Sequence, residues 1–174
     1  MQEVKKKVFE IEIPLISQNV SALAVNQDAL IGRIIKMDLT RTLRGKSLEA
    51  TIIIKKDGEK LFGEILSVSL IPNYIRRMIK GSISYIEDSI LFDTKESKIT
   101  IKIFMLTRKK VHRSVRKALR DRAKEVIAMF VKEKSDGETF SSILYGEMQR
   151  ELMIRLKKIY PLAIAEIRMA KIKR

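Results

Sequence analysis

The first hundred residues alternate in the manner of strands. Phe9, Ile11 and Ile13 are separated by Glu10 and Glu12, a period of two that stops at Pro14. Residues 15–30 show no clear period and predict an irregular connection with a short helix near Asp28. Ile31 to Leu39 reads as a strand with Ile35, Met37 and Leu39 on one face, and Leu48 to Ile54 as another. Asp57-Gly58 between two apolar runs predicts a hairpin. In the strand after it, Phe62, Leu66, Val68 and Leu70 are expected on one side, with Ser67 and Ser69 opposite. Asn73 is the expected cap of a short helix, Tyr74–Lys80, ended by Gly81. Two more strands follow, over 83–93 and 98–107, joined by a turn at Lys95-Glu96-Ser97-Lys98.

From residue 111 the period becomes helical. Val111, Val115, Leu119, Val126 and Phe130 share a face, and Lys134-Ser135-Asp136-Gly137 is expected to end that helix. A second helical stretch runs from Thr139 to Tyr160-Pro161 with apolar residues at spacings of three and four, and Gly146 is a candidate kink. Residues 165–172 alternate again. The expected fold class is therefore α+β: an antiparallel β-barrel or curled sheet with two long C-terminal helices and a final returning strand. The expected organisation is one domain over 1–174. It comprises an N-terminal strand and irregular segment (1–30), a strand-rich region (31–107), a helical region (108–160) and a final strand (164–173).

Composition narrows the chemistry. The chain has 174 residues, 45% of them hydrophobic, and a chain of that length buries about 70% of its unfolded surface. There is no cysteine, which removes disulfides, thiolate metal sites and cysteine nucleophiles, and His112 is the single histidine. No P-loop, GxGxxG or metal-ligand cluster is present. The expectation is a non-enzyme without cofactor, catalytic residue, metal or small-molecule substrate. A charged N-terminus without a following apolar run, and no tract of membrane-spanning length, predict a cytoplasmic chain without membrane contact.

The net charge is +15, and residues 108–124 hold nine bases against the single acid Asp121. Helical projection sets Arg113, Arg116, Lys117, Arg120 and Lys124 on one side, with Val111, Val115, Ala118, Leu119, Val126 and Phe130 opposite. A merely solvated face usually interleaves acids with bases, because like charges at i,i+4 destabilise a helix. Cations at a helix N-terminus also oppose its dipole. Such an arrangement is favourable when phosphates neutralise it. The candidate nucleic-acid contacts are Arg108, Lys109, Lys110, Arg113, Arg116, Lys117, Arg120 and Lys124. Arg44 and Lys46 on a basic loop, and Arg76 and Arg77 on the short helix, could extend them. The competing readings are a free-standing RNA- or DNA-binding regulator and a nuclease or RNA-modifying enzyme using Glu87, Asp88 and Asp93. A membrane-surface or calmodulin-type helix is a further alternative.

Four motifs in order resemble one ribosomal protein family. They are Leu30-Ile-Gly-Arg-Ile-Ile, Tyr74-Ile-Arg-Arg-Met-Ile-Lys, the run from Ile99 through Thr107-Arg-Lys-Lys into Arg113-Ser-Val-Arg-Lys-Ala-Leu-Arg, and Lys157-Lys-Ile-Tyr-Pro-Leu-Ala-Ile-Ala-Glu-Ile-Arg. The family is S-three-A-e, also called e-type S-one, of the archaeal and eukaryotic small ribosomal subunit. The family's longer basic and aromatic start is represented only by Lys5-Lys-Lys-Val-Phe, the loop at 40–47 is short and no Lys-rich tail follows, so an archaeal-like member is expected. The resemblance implies a β-barrel with flanking helices on the subunit platform near the mRNA exit. It implies small-subunit rRNA and neighbouring ribosomal proteins as partners, with mRNA and initiation factors as further candidate contacts. It implies no catalysis.

Overall fold

In a computed structural model the described residues are 6–43, 46–58, 60–79 and 81–173. Strand β1 (Lys7–Ile13) turns back into β2 (Gln18–Ala24) in a register from Lys7↔Ala24 to Ile13↔Gln18. Sequence periodicity gave no sign of β2. Its inward positions include Ala22 and Ala24, too small to mark a strand, and Leu23 faces outward. A 3-10 turn (Gln27–Leu30) stands where the helix near Asp28 was expected. It is followed by β3 (Ile34–Asp38), β4 (Leu48–Asp57) and β5 (Lys60–Leu70). Gly58, at φ 58°, makes the Asp-Gly turn between β4 and β5.

The chain divides into two compact units, 1–37 with 50–66 and 38–49 with 67–174. In the first, Ile11, Ala24, Leu30, Ile54 and Leu61 form the core, with Phe9, Ala22 and Ile35 packed on it. Gly63 sits where a Cβ would come 2.7 Å from Ile52 and 3.1 Å from Ile13, so no side chain fits. The face of β5 departs from its expected phase. Leu61, Gly63 and Ile65 are buried, then Val68 and Leu70, with the alternation shifting at Leu66–Ser67. Phe62 is only half-buried. The shift falls where β5 leaves one unit for the other. β1 and β5 meet in the sole parallel pairing described, Glu12↔Phe62.

In the second unit α1 (Pro72–Met78) begins at its proline, with Ile71 as the cap. Proline is preorganised for the first helical position, which displaces Asn73 from the expected capping role. β6 (Tyr85–Asp93) and β7 (Lys98–Thr107) form a hairpin, and β8 (Leu162–Lys173) pairs antiparallel with both β7 and the end of β5. β7 lies between β6 and β8, and Ile99, Ile101 and the whole run Ile103–Thr107 are buried. α2 (Arg113–Val131) packs on β6 and on α4 (Glu147–Leu156), which packs on β8.

The helical stretch after α2 is two helices. α3 (Asp136–Leu144) ends at Tyr145, and Gly146, at φ 79°, caps α4. A left-handed residue cannot continue an α-helix, so Gly146 breaks the stretch outright. The fold class expected from the periodicities holds. It is mixed α and β, with eight strands in an open sheet, helical C-terminal segments and a final strand.

Candidate nucleic-acid interface

The basic segment begins where β7 ends. Thr107 is fully buried. Its hydroxyl accepts from the Ser84 N–H at 2.9 Å and donates to the Lys109 carbonyl at 2.6 Å. The Ser84 hydroxyl in turn accepts from the Val111 N–H at 3.1 Å. These bonds pin residues 107–111 to the start of β6 and leave Arg108, Lys109 and Lys110 exposed. His112 is exposed and occupies the cap position of α2, but its side chain makes no capping bond.

The buried stripe of α2 is Leu119, Ala123, Val126, Ile127 and Val131. It is rotated from the expected one: Ala118 is exposed, and Val111, Val115 and Phe130 are half-buried. Packing on both α4 and β6 selects Ala123 and Ile127, which the projection from Val111 and Val115 passed over. Arg116 and Arg120 precede Ala123, Ile127 and Val131 at helical spacings of three and four, so all five lie along one face. Arginines occupy its first turns, and apolar residues continue it. Both arginines are half-buried, and the Nε of each is buried without a hydrogen-bond partner among the described residues. An unsatisfied buried donor costs about 1–3 kcal/mol.

Arg113, Ser114, Arg116, Lys117 and Arg120 line one recess of about 670 Å³. Among the described residues no carboxylate pairs with any of its four bases. Arg122 and Lys124 differ. The first bonds Glu125 at 2.6 Å, and the second lies 3.5 Å from Asp88 of β6. Ser114 was not singled out by the sequence; a hydroxyl between two arginines in the first turn of a helix was the available signal.

Among the described residues the remaining candidates are not part of the recess lining. Arg76 and Arg77 are exposed in the last turn of α1. Arg44 lies outside the described residues. Lys46 pairs with Glu166 of β8 at 3.7 Å. The carboxylates of the nuclease alternative are engaged separately. Glu87 accepts from Arg168 and Tyr85, Asp88 faces Lys124, and Asp93 lies 3.6 Å from Lys98 across the hairpin. Among the described residues no three His, Cys, Asp or Glu gather as a metal site. No helix among them is long and apolar enough to cross a membrane.

The sequence profile of the Ribosomal S3Ae family matches residues 3–174. The chain belongs to this family. Membership makes it a ribosomal protein, a structural constituent and not an enzyme. Among its relatives is the small ribosomal subunit protein eS1 of Saccharolobus solfataricus, 27% identical over an alignment of 153 residues that covers 78% of this chain and 73% of the relative. The protein of the same name from Methanobrevibacter smithii is 26% identical, covering 86% and 80%. Both relatives are archaeal, in keeping with the archaeal-like character expected from the motifs.

Proposed function

We propose that this chain is a structural constituent of the small ribosomal subunit in the cytoplasm, holding small-subunit rRNA along α2. The observation that carries the reading is the recess on α2, where Arg113, Arg116, Lys117 and Arg120 gather with no carboxylate partner, and the Nε of both half-buried arginines lacks an acceptor, among the described residues. Guanidinium groups match phosphate oxygens in a bidentate geometry, and such contacts fix register without reading sequence. Arg108, Lys109, Lys110, Arg113, Lys117 and Lys124 extend the same positive surface. Arg44, Arg76 and Arg77 are secondary contacts. The family resemblance supports a place on the platform near the mRNA exit, beside other ribosomal proteins, with mRNA and initiation factors within reach. It also supports treating the whole chain as one rRNA-binding domain.

Sedimentation of a native lysate on a sucrose gradient tests the assignment. The chain is expected to run stoichiometrically with small subunits and to leave them only at high salt or after ribonuclease treatment. A chain that stays at the top of the gradient at low salt would refute the ribosomal reading in favour of a free-standing nucleic-acid-binding regulator.

A further inference from the structure

A second recess of about 520 Å³ lies against α4 and β8, lined by Lys46, Tyr145, Gln149, Met153, Ile164 and Glu166 among others. Its polar groups are unevenly satisfied. Gln149 is 6% exposed, and its Nε2 donates to the Ile143 carbonyl at 2.9 Å. Its Oε1 is buried and has no partner among the described residues. Beside it the half-buried Glu166 carboxylate has Lys46 Nζ at 3.7 Å. Burial pushes the Glu166 carboxyl above its ordinary value, opposed by Lys46 and Gln149. Gly146 brings the α3–α4 turn against this ammonium. A Cβ there would lie 3.1 Å from Lys46 Nζ, and its φ of 79° excludes most side chains in any case. At the rim the Tyr145 side chain is 62% exposed.

The site therefore offers two neighbouring acceptors, cationic donors at Lys46 and at the exposed Arg150, and an exposed aromatic ring. Its complement carries two adjacent donor groups, an acceptor edge facing the two cations, and a flat face. Among nucleobases the Watson–Crick edge of guanine has that order: N2–H₂ and N1–H as donors, O6 as acceptor. Adenine sets an acceptor, N1, beside its single amino group, and uracil has one donor between two acceptors. We propose that this recess takes an unpaired guanine turned out of an RNA strand. Glu166 and Gln149 accept from N1–H and N2–H₂, Lys46 donates to O6, and Tyr145 stacks on the base. Single-stranded bases are commonly recognised in this way, by stacking and by their Watson–Crick edges. A cationic side chain from a neighbouring protein fits less well, because Lys46 already faces the carboxylate and would repel it. The inference rests on the RNA-binding reading above and gives that reading a base-specific contact.

Fluorescence anisotropy with the full chain tests it, using two single-stranded uridine nonamers that carry one central guanosine or one central adenosine. The guanosine oligomer should bind about tenfold more tightly, within the usual worth of a paired base contact. Glu166→Gln, and independently Lys46→Met, should bring the two affinities together, whereas Arg116→Ala should weaken both oligomers and preserve their ratio. Equal affinities in the wild-type chain, with salt-sensitive binding intact, would overturn the guanine site and leave the RNA reading standing. A preference that survives both pocket variants would also overturn it, since guanine would then be read elsewhere. Failure of both oligomers to bind would overturn the RNA reading itself. Binding of an oligolysine peptide, lost in Glu166→Gln while guanosine shows no preference, would assign the recess to a protein cation instead.

Discussion

The first two helices after β7 begin in opposite ways. α3 starts with a complete capping box. Ser135 accepts from the Glu138 N–H at 3.3 Å, and the Glu138 carboxylate accepts from the Ser135 N–H at 2.9 Å. Its first turn holds two acids, and Asp136 also accepts from Thr94 at 2.5 Å and from Ser97 at 2.6 Å, tying the helix to the β6–β7 turn. α2 has no side-chain cap and no acid in its first turn, and arginine stands at both its first and fourth positions. Capping and acidic first turns each contribute about 1 kcal/mol to a helix. One helix start is thus arranged for its own stability. The other forgoes those terms and is held from outside, by Thr107 and Ser84. What α2 gains is a row of unneutralised donors facing a recess. On the proposed reading, this departure from capping rules marks the surface that would meet RNA.

Removing the box is the larger way to break this comparison. Ser135→Ala should cost about 1 kcal/mol of stability, read as a lower denaturant midpoint with an unchanged slope, and should leave RNA affinity where it was. A loss of RNA binding equal to that of the α2 variants would show that α3 is not merely structural. A smaller effect comes through Glu138. Its bond from the Ser135 backbone, and to a lesser degree the Ser135 hydroxyl, Lys95 and Lys134, hold its carboxyl below the ordinary value of 4.5. The folded state therefore binds its proton less readily than the unfolded chain does. This contribution is fully present above 4.5 and is lost as the pH falls through the lowered value. Thermal melts of the wild type and Glu138→Gln should differ at neutral pH and converge in acid. A gap that widened on acidification would contradict the assignment.

Much of this architecture was legible in the residues. The strict alternation Ile99-Ile101-Ile103-Met105 predicts β7 with its buried face, and the change of period at residue 111 predicts α2. The Asp-Gly turn is where it was expected. Other features were hidden for identifiable reasons. The apolar series from Phe140 to Leu156 keeps helical spacing straight through Gly146, so periodicity alone gives one helix where two exist. Ser135 was legible as a helix end and is in fact a helix start, its role set by Glu138 three residues on.

The candidate interface was legible as a class of residues and less so as a geometry. The run of bases at 108–124 identifies the helix. A projection treats all its bases alike, whereas packing against α4 and β6 draws Arg116 and Arg120 to the covered side and leaves Lys117 in solvent. Lys124 and Arg122 find carboxylates, which separates them from the recess. The second recess was illegible because Lys46, Gln149 and Glu166 come from the segment before β4, from α4 and from β8, and only tertiary packing brings them together.

The central claim is that the arginines of α2 neutralise phosphates, and the salt dependence of RNA affinity tests it most directly. The measurement is the slope of log affinity against log salt for the wild-type chain and for Arg116→Ala combined with Arg120→Ala. The account predicts weaker binding at low salt and a slope shallower by about two, one for each arginine–phosphate pair removed, with the double variant folded and no less stable. An unchanged slope would contradict it and place the phosphate-binding face elsewhere on the molecule.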